Sequence, residues 1–86
     1  MQRGWVVSSD YRAAINALKD VRTEAGISQR ELARRLNKPP SFVNKIEQLE
    51  RRLDVLEFIV IAQALEIDPK ALLSSIMAVL PEKVSL

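Results

Sequence analysis

Four polar side chains between positions 41 and 48 have the hydrogen-bonding groups needed to contact the exposed edges of nucleic-acid bases. Asparagine can pair with adenine through two hydrogen bonds, and lysine can donate to the acceptors of guanine. Because they are spaced three or four positions apart, they share one face of a helix: Ser41, Asn44, Lys45 and Gln48. Val43 and Ile46 lie on the opposite side. The pattern predicts a short helix with one reading face and one packed face.

A second short helical pattern precedes this helix, and a tight polar break separates the two. Ser28 and Glu31 have the S-x-x-E spacing of a capping box, which predicts that the preceding helix starts here. Asn37 tolerates the left-handed backbone conformation at a helix end. A double proline follows, and Pro40 lies either in the break or in the first turn of the next helix. Two helices in this arrangement are typical of a helix-turn-helix unit, in which one helix braces the other in a DNA major groove.

Apolar spacing and capping residues predict three further helices around this unit. The first runs from about Asp10 to Ala25, and Gly26 follows at the position of a left-handed cap. The fourth starts at a second capping box, Asp54 and Glu57, and is apolar nearly all round. The fifth starts at an aspartate followed by proline, which is a strong start signal.

These elements predict an all-α domain of five helices over residues 10–80, with the helix-turn-helix unit at residues 28–48. An N-terminal arm, residues 1–9, precedes it, and a tail, residues 81–86, follows it. The β-prone run at residues 5–7 leaves three roles open for the arm: a disordered start, a clasp over the core, or an arm that reaches a partner or DNA.

The fifth helix, at residues 69–80, carries more apolar side chains than we expect the last helix of an 86-residue monomer to bury. Either it folds back and buries them all, or they form a partner surface, which we favour. One recognition helix reads only a few base pairs, whereas a two-fold homodimer holds two helices about 34 Å apart on a palindrome. The expected interface adds two residues of the fourth helix and comprises Leu56, Val60, Leu72, Leu73, Ile76, Met77, Val79 and Leu80.

The net charge of +2 is unevenly distributed. Residues 28–52 carry seven basic and three acidic side chains, whereas residues 53–86 carry two basic and five acidic ones. A basic helix-turn-helix unit suits phosphate binding, although a solvated charged face would have the same composition. The cations that flank the reading helix are candidate phosphate contacts: Lys38, Arg51 and Arg52. Further candidate DNA contacts are Arg34, Arg35, Pro40 and Phe42.

Some of these side chains have two interpretations. Ser41 either contacts a base or caps the helix, and Phe42 either presses on a thymine methyl group or packs against neighbouring helices. Of Arg30, Arg34 and Arg35, we expect one or two to approach the DNA backbone and the others to be solvated on the surface of the second helix. Glu47 is acidic on a helix expected to face DNA, so we assign it to an ion pair with an arginine of the same chain rather than to a cytosine contact.

Composition argues against several other classes of function. The chain has no cysteine and no histidine, which removes thiol nucleophiles, thiolate zinc sites, the usual general base and the commonest metal ligand. We therefore expect no enzyme, no metal, no cofactor and no small-molecule ligand. Because the sequence has neither a signal-peptide pattern nor an apolar run of roughly 18 residues, we expect a soluble, cytoplasmic, nucleoid-associated protein that does not contact membranes.

Across about residues 11–76 the sequence resembles the Xre, or lambda-repressor-like, helix-turn-helix family. Three signatures carry the resemblance. The first is S-Q-x-E-L-A-x-x-L, present as Ser28, Gln29, Glu31, Leu32, Ala33 and Leu36; the second is S-x-V-x-x-I-E, present as Ser41, Val43, Ile46 and Glu47. The third is L-x-x-I-A-x-A-L, present as Phe58, Ile61, Ala62, Ala64 and Leu65. The resemblance implies a five-helix domain that binds operator DNA, usually as a homodimer, and a role for Gln29 in contacting a phosphate and bracing the recognition helix.

The sequence departs from the family pattern where glycine is common, with Asn37, Leu49 and Glu66 in its place. A β-carbon at Leu49 disfavours the left-handed conformation, so the third helix is expected to end differently or to extend. Proline at position 40 offers no side-chain donor to a base.

Taken together, the residues and the resemblance predict a bacterial or phage-like transcriptional regulator. It would bind double-stranded DNA sequence-specifically, as a homodimer on a palindromic operator, with its third helix in the major groove. The alternative is an antitoxin-type component that sequesters a partner protein and binds DNA secondarily.

Overall fold

Five α-helices make up the fold, and no strand occurs among residues 7–86, which are the residues that the computed structural model describes. The helices are α1 (Ser9–Glu24), α2 (Gln29–Arg35), α3 (Pro40–Glu47), α4 (Val55–Ala64) and α5 (Pro69–Met77). The all-α, five-helix prediction is confirmed. Of the predicted β-prone run, Trp5 and Val6 lie outside the described residues, and Val7 packs against the core. In the tail, the N–H of Ser85 donates to the carboxylate of Asp10 at 2.8 Å.

Side-chain caps start four of the five helices. The hydroxyl of Ser8 accepts from the N–H of Tyr11 at 3.0 Å, and the carboxylate of Asp68 accepts from the N–H of Lys70 at 3.1 Å. The predicted box at the start of α4 is complete, because Asp54 and the side chain of Glu57 each accept from the other's backbone N–H.

The box predicted at the start of α2 is only half formed. The hydroxyl of Ser28 accepts from the N–H of Glu31 at 3.0 Å. The carboxylate of Glu31 instead accepts hydrogen bonds from Arg34 and Arg35. The cap therefore depends on one hydrogen bond, and the acidic side chain neutralises two arginines of its own helix.

Four helices end in the same way, with one residue in the left-handed conformation: Gly26, Asn37, Leu49 and Glu66, with φ between 59° and 75°. The N–H of the next residue then bonds to a carbonyl five positions earlier, as from Glu50 to Lys45 at 2.8 Å. The expectation that Leu49 would avoid this conformation is wrong. Its side chain is 5% exposed, so burial in the core offsets the steric cost of the β-carbon.

The core lies between all five helices. Helix α3 packs against α2 and α1, while α5 packs against α1 and α4. The buried apolar side chains are Ile15, Leu18, Leu32, Ala33, Val43, Ile46, Leu49, Ile61, Ala62, Leu65, Leu72 and Ile76. Helix α3 contributes Val43 and Ile46 to this core, and each is 2% exposed. The position of the helix is therefore set by packing.

The apolar surplus of α5 divides between the core and the surface. Leu72 and Ile76 are 1% and 7% exposed, so their assignment to a dimer interface is wrong: they already pack inside the chain. Leu80 is half-buried and also packs against the core. The remaining members of the predicted interface are between 45% and 73% exposed: Leu56, Val60, Leu73, Met77 and Val79. We call these five residues the apolar patch.

None of the helices within residues 7–86 combines the length and the apolar character that crossing a bilayer requires.

Candidate nucleic-acid interface

One side of α3 is exposed and polar. Ser41, Asn44 and Lys45 are exposed along it, and Gln48 is exposed at the cap position that ends the helix. Pro39 occupies the cap position at its start and makes no side-chain cap. The capping interpretation of Ser41 is therefore wrong, because this residue lies inside the first turn. Pro40 is the first helical residue, as one of the two predicted alternatives had it.

A buried ion pair fixes the C-terminal end of α3. The Nε of Arg22 lies 2.7 Å from Oε2 of Glu47, and Nη2 lies 2.9 Å from Oε1. The two side chains are 8% and 6% exposed. Arg22 also donates to the carbonyl of Ile27 at 2.7 Å. The prediction that Glu47 pairs with an arginine is confirmed, and the pair joins α1 to the last residue of α3.

Sequence reasoning missed Arg22 as the partner. A signal was available, because Arg22 follows Leu18 by four positions and Ile15 by seven, and both of these are core residues of α1. A charged residue on the buried stripe of a helix needs a partner, since an unpaired buried charge is costly. The identity of that partner depends on packing between helices and is not visible in local spacing.

Gln29 joins the start of α2 to α3 through its side-chain amide. Its nitrogen donates to Oε1 of Glu47 at 2.8 Å, and its oxygen accepts from the amide nitrogen of Asn44 at 3.4 Å. These contacts support the bracing role implied by the family resemblance. A phosphate contact by Gln29 stays a prediction.

The ring of Phe42 lies beneath two cations. Nζ of Lys38 is 5.5 Å from the ring centroid, and Cζ of Arg51 is 4.8 Å from it. The ring is half-buried and packs against the core, which supports the packing interpretation of this side chain. Cation–π attraction holds both cations beside the exposed face of α3.

Arg51 and Arg52 differ in their surroundings. Arg51 makes an ion pair with Glu57 at 3.0 Å, which raises the pKa of Arg51 and lowers that of Glu57. Any phosphate would therefore share Arg51 with a carboxylate. Arg52 is exposed, and its Cζ lies 5.2 Å from the ring of Tyr11. The hydroxyl of Tyr11 accepts from the N–H of Leu53 at 3.1 Å, which ties this loop to α1.

The arginines of α2 have separate surroundings. Arg34 and Arg35 both donate to Glu31, and hydrogen bonds from Arg34 and then Arg35 lower the pKa of Glu31 to about 2. Arg35 also donates to the carbonyl of Ala64 at 2.8 Å, at the end of α4. Arg34 instead faces an open groove beside the start of α3, which is lined by Arg30, Arg34, Asn37, Lys38 and Pro40. Three of these five residues are cations, so the groove favours an anion.

Comparison with known proteins agrees with the helix-turn-helix arrangement of α2 and α3. The sequence model of the helix-turn-helix family matches residues 18–72, which include all of α2, α3 and α4. No curated protein matches the chain in sequence. An XRE-family like protein from Pseudomonas syringae pv. tomato str. DC3000 is 48% identical, with a TM-score of 0.76 over 85% of this chain and 89% of that one.

Two further solved structures share the fold. The restriction-modification controller protein C.AhdI from Aeromonas hydrophila is 29% identical, with a TM-score of 0.67 over 76% of this chain and 98% of that one. The clp gene regulator ClgR from Corynebacterium glutamicum is 20% identical, with a TM-score of 0.71 over 83% of this chain and 76% of that one.

Proposed function

The chain belongs to the XRE-like helix-turn-helix family of DNA-binding transcription regulators, and we propose that it reads an operator by placing α3 in the major groove. The observation that carries the proposal is the division of α3 between two environments. Val43 and Ile46 anchor its back in the core, while its polar side chains project outward. A helix held in this way can enter a groove without disturbing its own packing. The proposed base contacts are Ser41, Asn44, Lys45 and Gln48.

Phosphate contacts would fix the register of α3 in the groove. We assign this role to Gln29, Lys38, Arg51 and Arg52, of which Lys38 and Arg51 are already held beside α3 by the ring of Phe42. The groove at the start of α3 adds Arg34 and Pro40 to the region close to DNA. Arg35 is left out of the interface, because it bonds to Glu31 and to the end of α4.

A homodimer on a palindromic operator is the finer part of the proposal. The apolar patch exposes five large side chains on α4, α5 and the residues just after α5. Such a surface on a small protein favours burial against a partner, and a second copy would create a two-fold contact. Two copies of α3 would then read two half-sites.

Selection of duplexes from random DNA tests this function. We expect enrichment of a palindrome whose half-sites are centred about one helical turn, or roughly 10 base pairs, apart. The control is the double variant Asn44→Ala and Lys45→Ala, whose exposed positions leave the core intact. It should bind weakly and without the enriched motif. If the unmodified chain enriches no motif, or if the variant enriches the same one, the proposal is wrong.

A further inference from the structure

Glu57, in the first turn of α4, places its carboxylate against the guanidinium of Arg51. Its Oε1 accepts from Nη1 at 3.0 Å, and its Oε2 lies 3.0 Å from Nη2. Two oxygens paired with two nitrogens are also the arrangement in which a guanidinium binds a phosphate. The carboxylate therefore occupies one of the edges through which Arg51 could bind the DNA backbone.

Two other contacts hold Arg51 beside α3. Its Cζ lies 4.8 Å from the centroid of the Phe42 ring, which packs against the core, and its backbone N–H donates to the carbonyl of Lys45 at 3.3 Å. Glu57 is therefore not needed to position Arg51, and its main contribution is a negative charge. The hydrogen bond from Arg51 lowers the pKa of Glu57, which keeps the carboxylate ionised at neutral pH.

We propose that Glu57 is an internal competitor for phosphate: its carboxylate neutralises Arg51 and so limits how tightly the protein binds the DNA backbone. The inference rests on the proposed function, in which Arg51 contacts a phosphate. A phosphate that approaches Arg51 meets a guanidinium whose charge is already balanced, and a carboxylate that repels it. Because phosphate contacts carry no sequence information, Glu57 should weaken binding to every duplex.

Glutamine at position 57 separates the charge of this side chain from its capping role. Oε1 of Glu57 also accepts from the N–H of Asp54 at 3.0 Å, which completes the capping box of α4. Glutamine occupies the same place in a capping box as glutamate does, because its amide oxygen can accept the same hydrogen bond. Glu57→Gln therefore removes the negative charge and keeps the start of α4, which thermal melting checks.

Titrations on the selected operator and on a scrambled duplex of the same length, at several salt concentrations, test the proposal. Glu57→Gln should bind both duplexes at least about five-fold more tightly at low salt, and its salt slope should steepen by roughly one unit, because one more cation becomes available to a phosphate.

Two further variants show whether the effect passes through Arg51. Glu66→Gln removes the same charge from an exposed carboxylate near Arg35, outside the proposed interface, and should change affinity less than about two-fold. Glu57→Gln combined with Arg51→Ala should bind no more than about two-fold more tightly than Arg51→Ala alone, since the freed cation is then missing.

Unchanged or weaker binding by Glu57→Gln overturns the inference, because the ion pair would then position Arg51 rather than compete for it. An equal gain in Glu66→Gln, a gain on the operator alone, or a gain that persists when Arg51 is replaced overturns it too. If the unmodified chain enriches no motif from random DNA, the proposed function fails and the inference fails with it. Failure of the inference alone leaves the operator preference of the unmodified chain intact, so the two failures are distinguishable.

Discussion

The guanidinium of Arg22 and the carboxylate of Glu47 meet at two points, 2.7 and 2.9 Å apart, although 25 residues separate them in sequence. Neither side chain is more than 8% exposed. The pair joins the last turns of α1 to the last residue of α3. The same carboxylate also accepts from Gln29, so this buried contact joins the end of α3 to both α1 and the start of α2.

Removing one partner should therefore destabilise the domain strongly. We expect Arg22→Met or Glu47→Ala to lower the free energy of unfolding by about 3–5 kcal/mol, because the remaining charge is left buried and unpaired. Urea unfolding measures the change. The matched control is Arg34→Ala, which removes an exposed partner of Glu31 and should cost less than about 1 kcal/mol. Similar small losses in all three variants would show that the buried pair is not structurally important.

Leu49 and Glu66 both end a helix in the left-handed conformation, but substitution by glycine should change the stability of the domain in opposite directions at the two positions. At exposed Glu66, Glu66→Gly relieves the left-handed strain and should stabilise the domain by up to about 1 kcal/mol. At Leu49, Leu49→Gly removes a buried side chain and should destabilise it by about 2–5 kcal/mol. Thermal melting compares the two variants. Stabilisation by both would mean that burial of Leu49 contributes little.

Acid should weaken the domain partly through Glu31. Its pKa falls from 4.5 to about 2 because Arg34 and Arg35 donate hydrogen bonds to the carboxylate. A depressed pKa means that this contribution is present above pH 4.5 and is lost as the pH falls through about 2. Melting temperatures of the unmodified chain and of Glu31→Gln, measured from neutral pH to pH 2, should converge at the acid end. A constant difference at every pH would contradict this origin, and added salt should reduce the difference near neutral pH.

Base-reading and phosphate-binding cations should differ in their effect on specificity. We expect Lys45→Ala to cost about 1–3 kcal/mol on the cognate operator and to relax the preference at one base pair. Arg52→Ala should weaken binding about equally on all sequences and reduce the salt slope by roughly one unit. Titrations on cognate and scrambled duplexes at several salt concentrations separate the two effects. Equal losses on both duplexes for Lys45→Ala would refute its reading role.

The apolar patch should control the oligomeric state. Leu73→Lys and Met77→Lys introduce charges at exposed positions, so they should shift a dimer to monomer without unfolding the domain. Sedimentation at tens of micromolar protein measures the shift. Val84→Lys, at an exposed position in the tail, is the control and should leave the dimer intact. A monomeric unmodified chain at that concentration would contradict the homodimer and favour the alternative of a component that sequesters another protein.

Local signals predicted the starts of the helices better than their ends. Asp54 and Glu57 predict the start of α4, because a capping box is formed within four consecutive residues. Leu49 gave the wrong signal, because its conformation is decided by burial among residues distant in sequence. Local preference and tertiary packing compete at that position, and packing prevails.

The same limit applies to the two surfaces of α5. Periodicity indicates that this helix has too many apolar residues for one face, but it does not say which face meets α1 and α4. Leu72 and Ile76 face the core, whereas Leu73 and Met77 do not. The polar face of α3 was easier to predict, because Val43 and Ile46 define its back within the helix itself.

The separation of Ser41 and Lys45 from the core has a consequence for how this protein can diversify. Neither side chain fills space between helices, so exchanging them should alter the preferred operator with little loss of folding stability. New target sites can therefore arise through few substitutions, by natural drift or by laboratory engineering. Asn44 is less open to such change, since any replacement there must also suit the neighbour that is tied to the buried carboxylate.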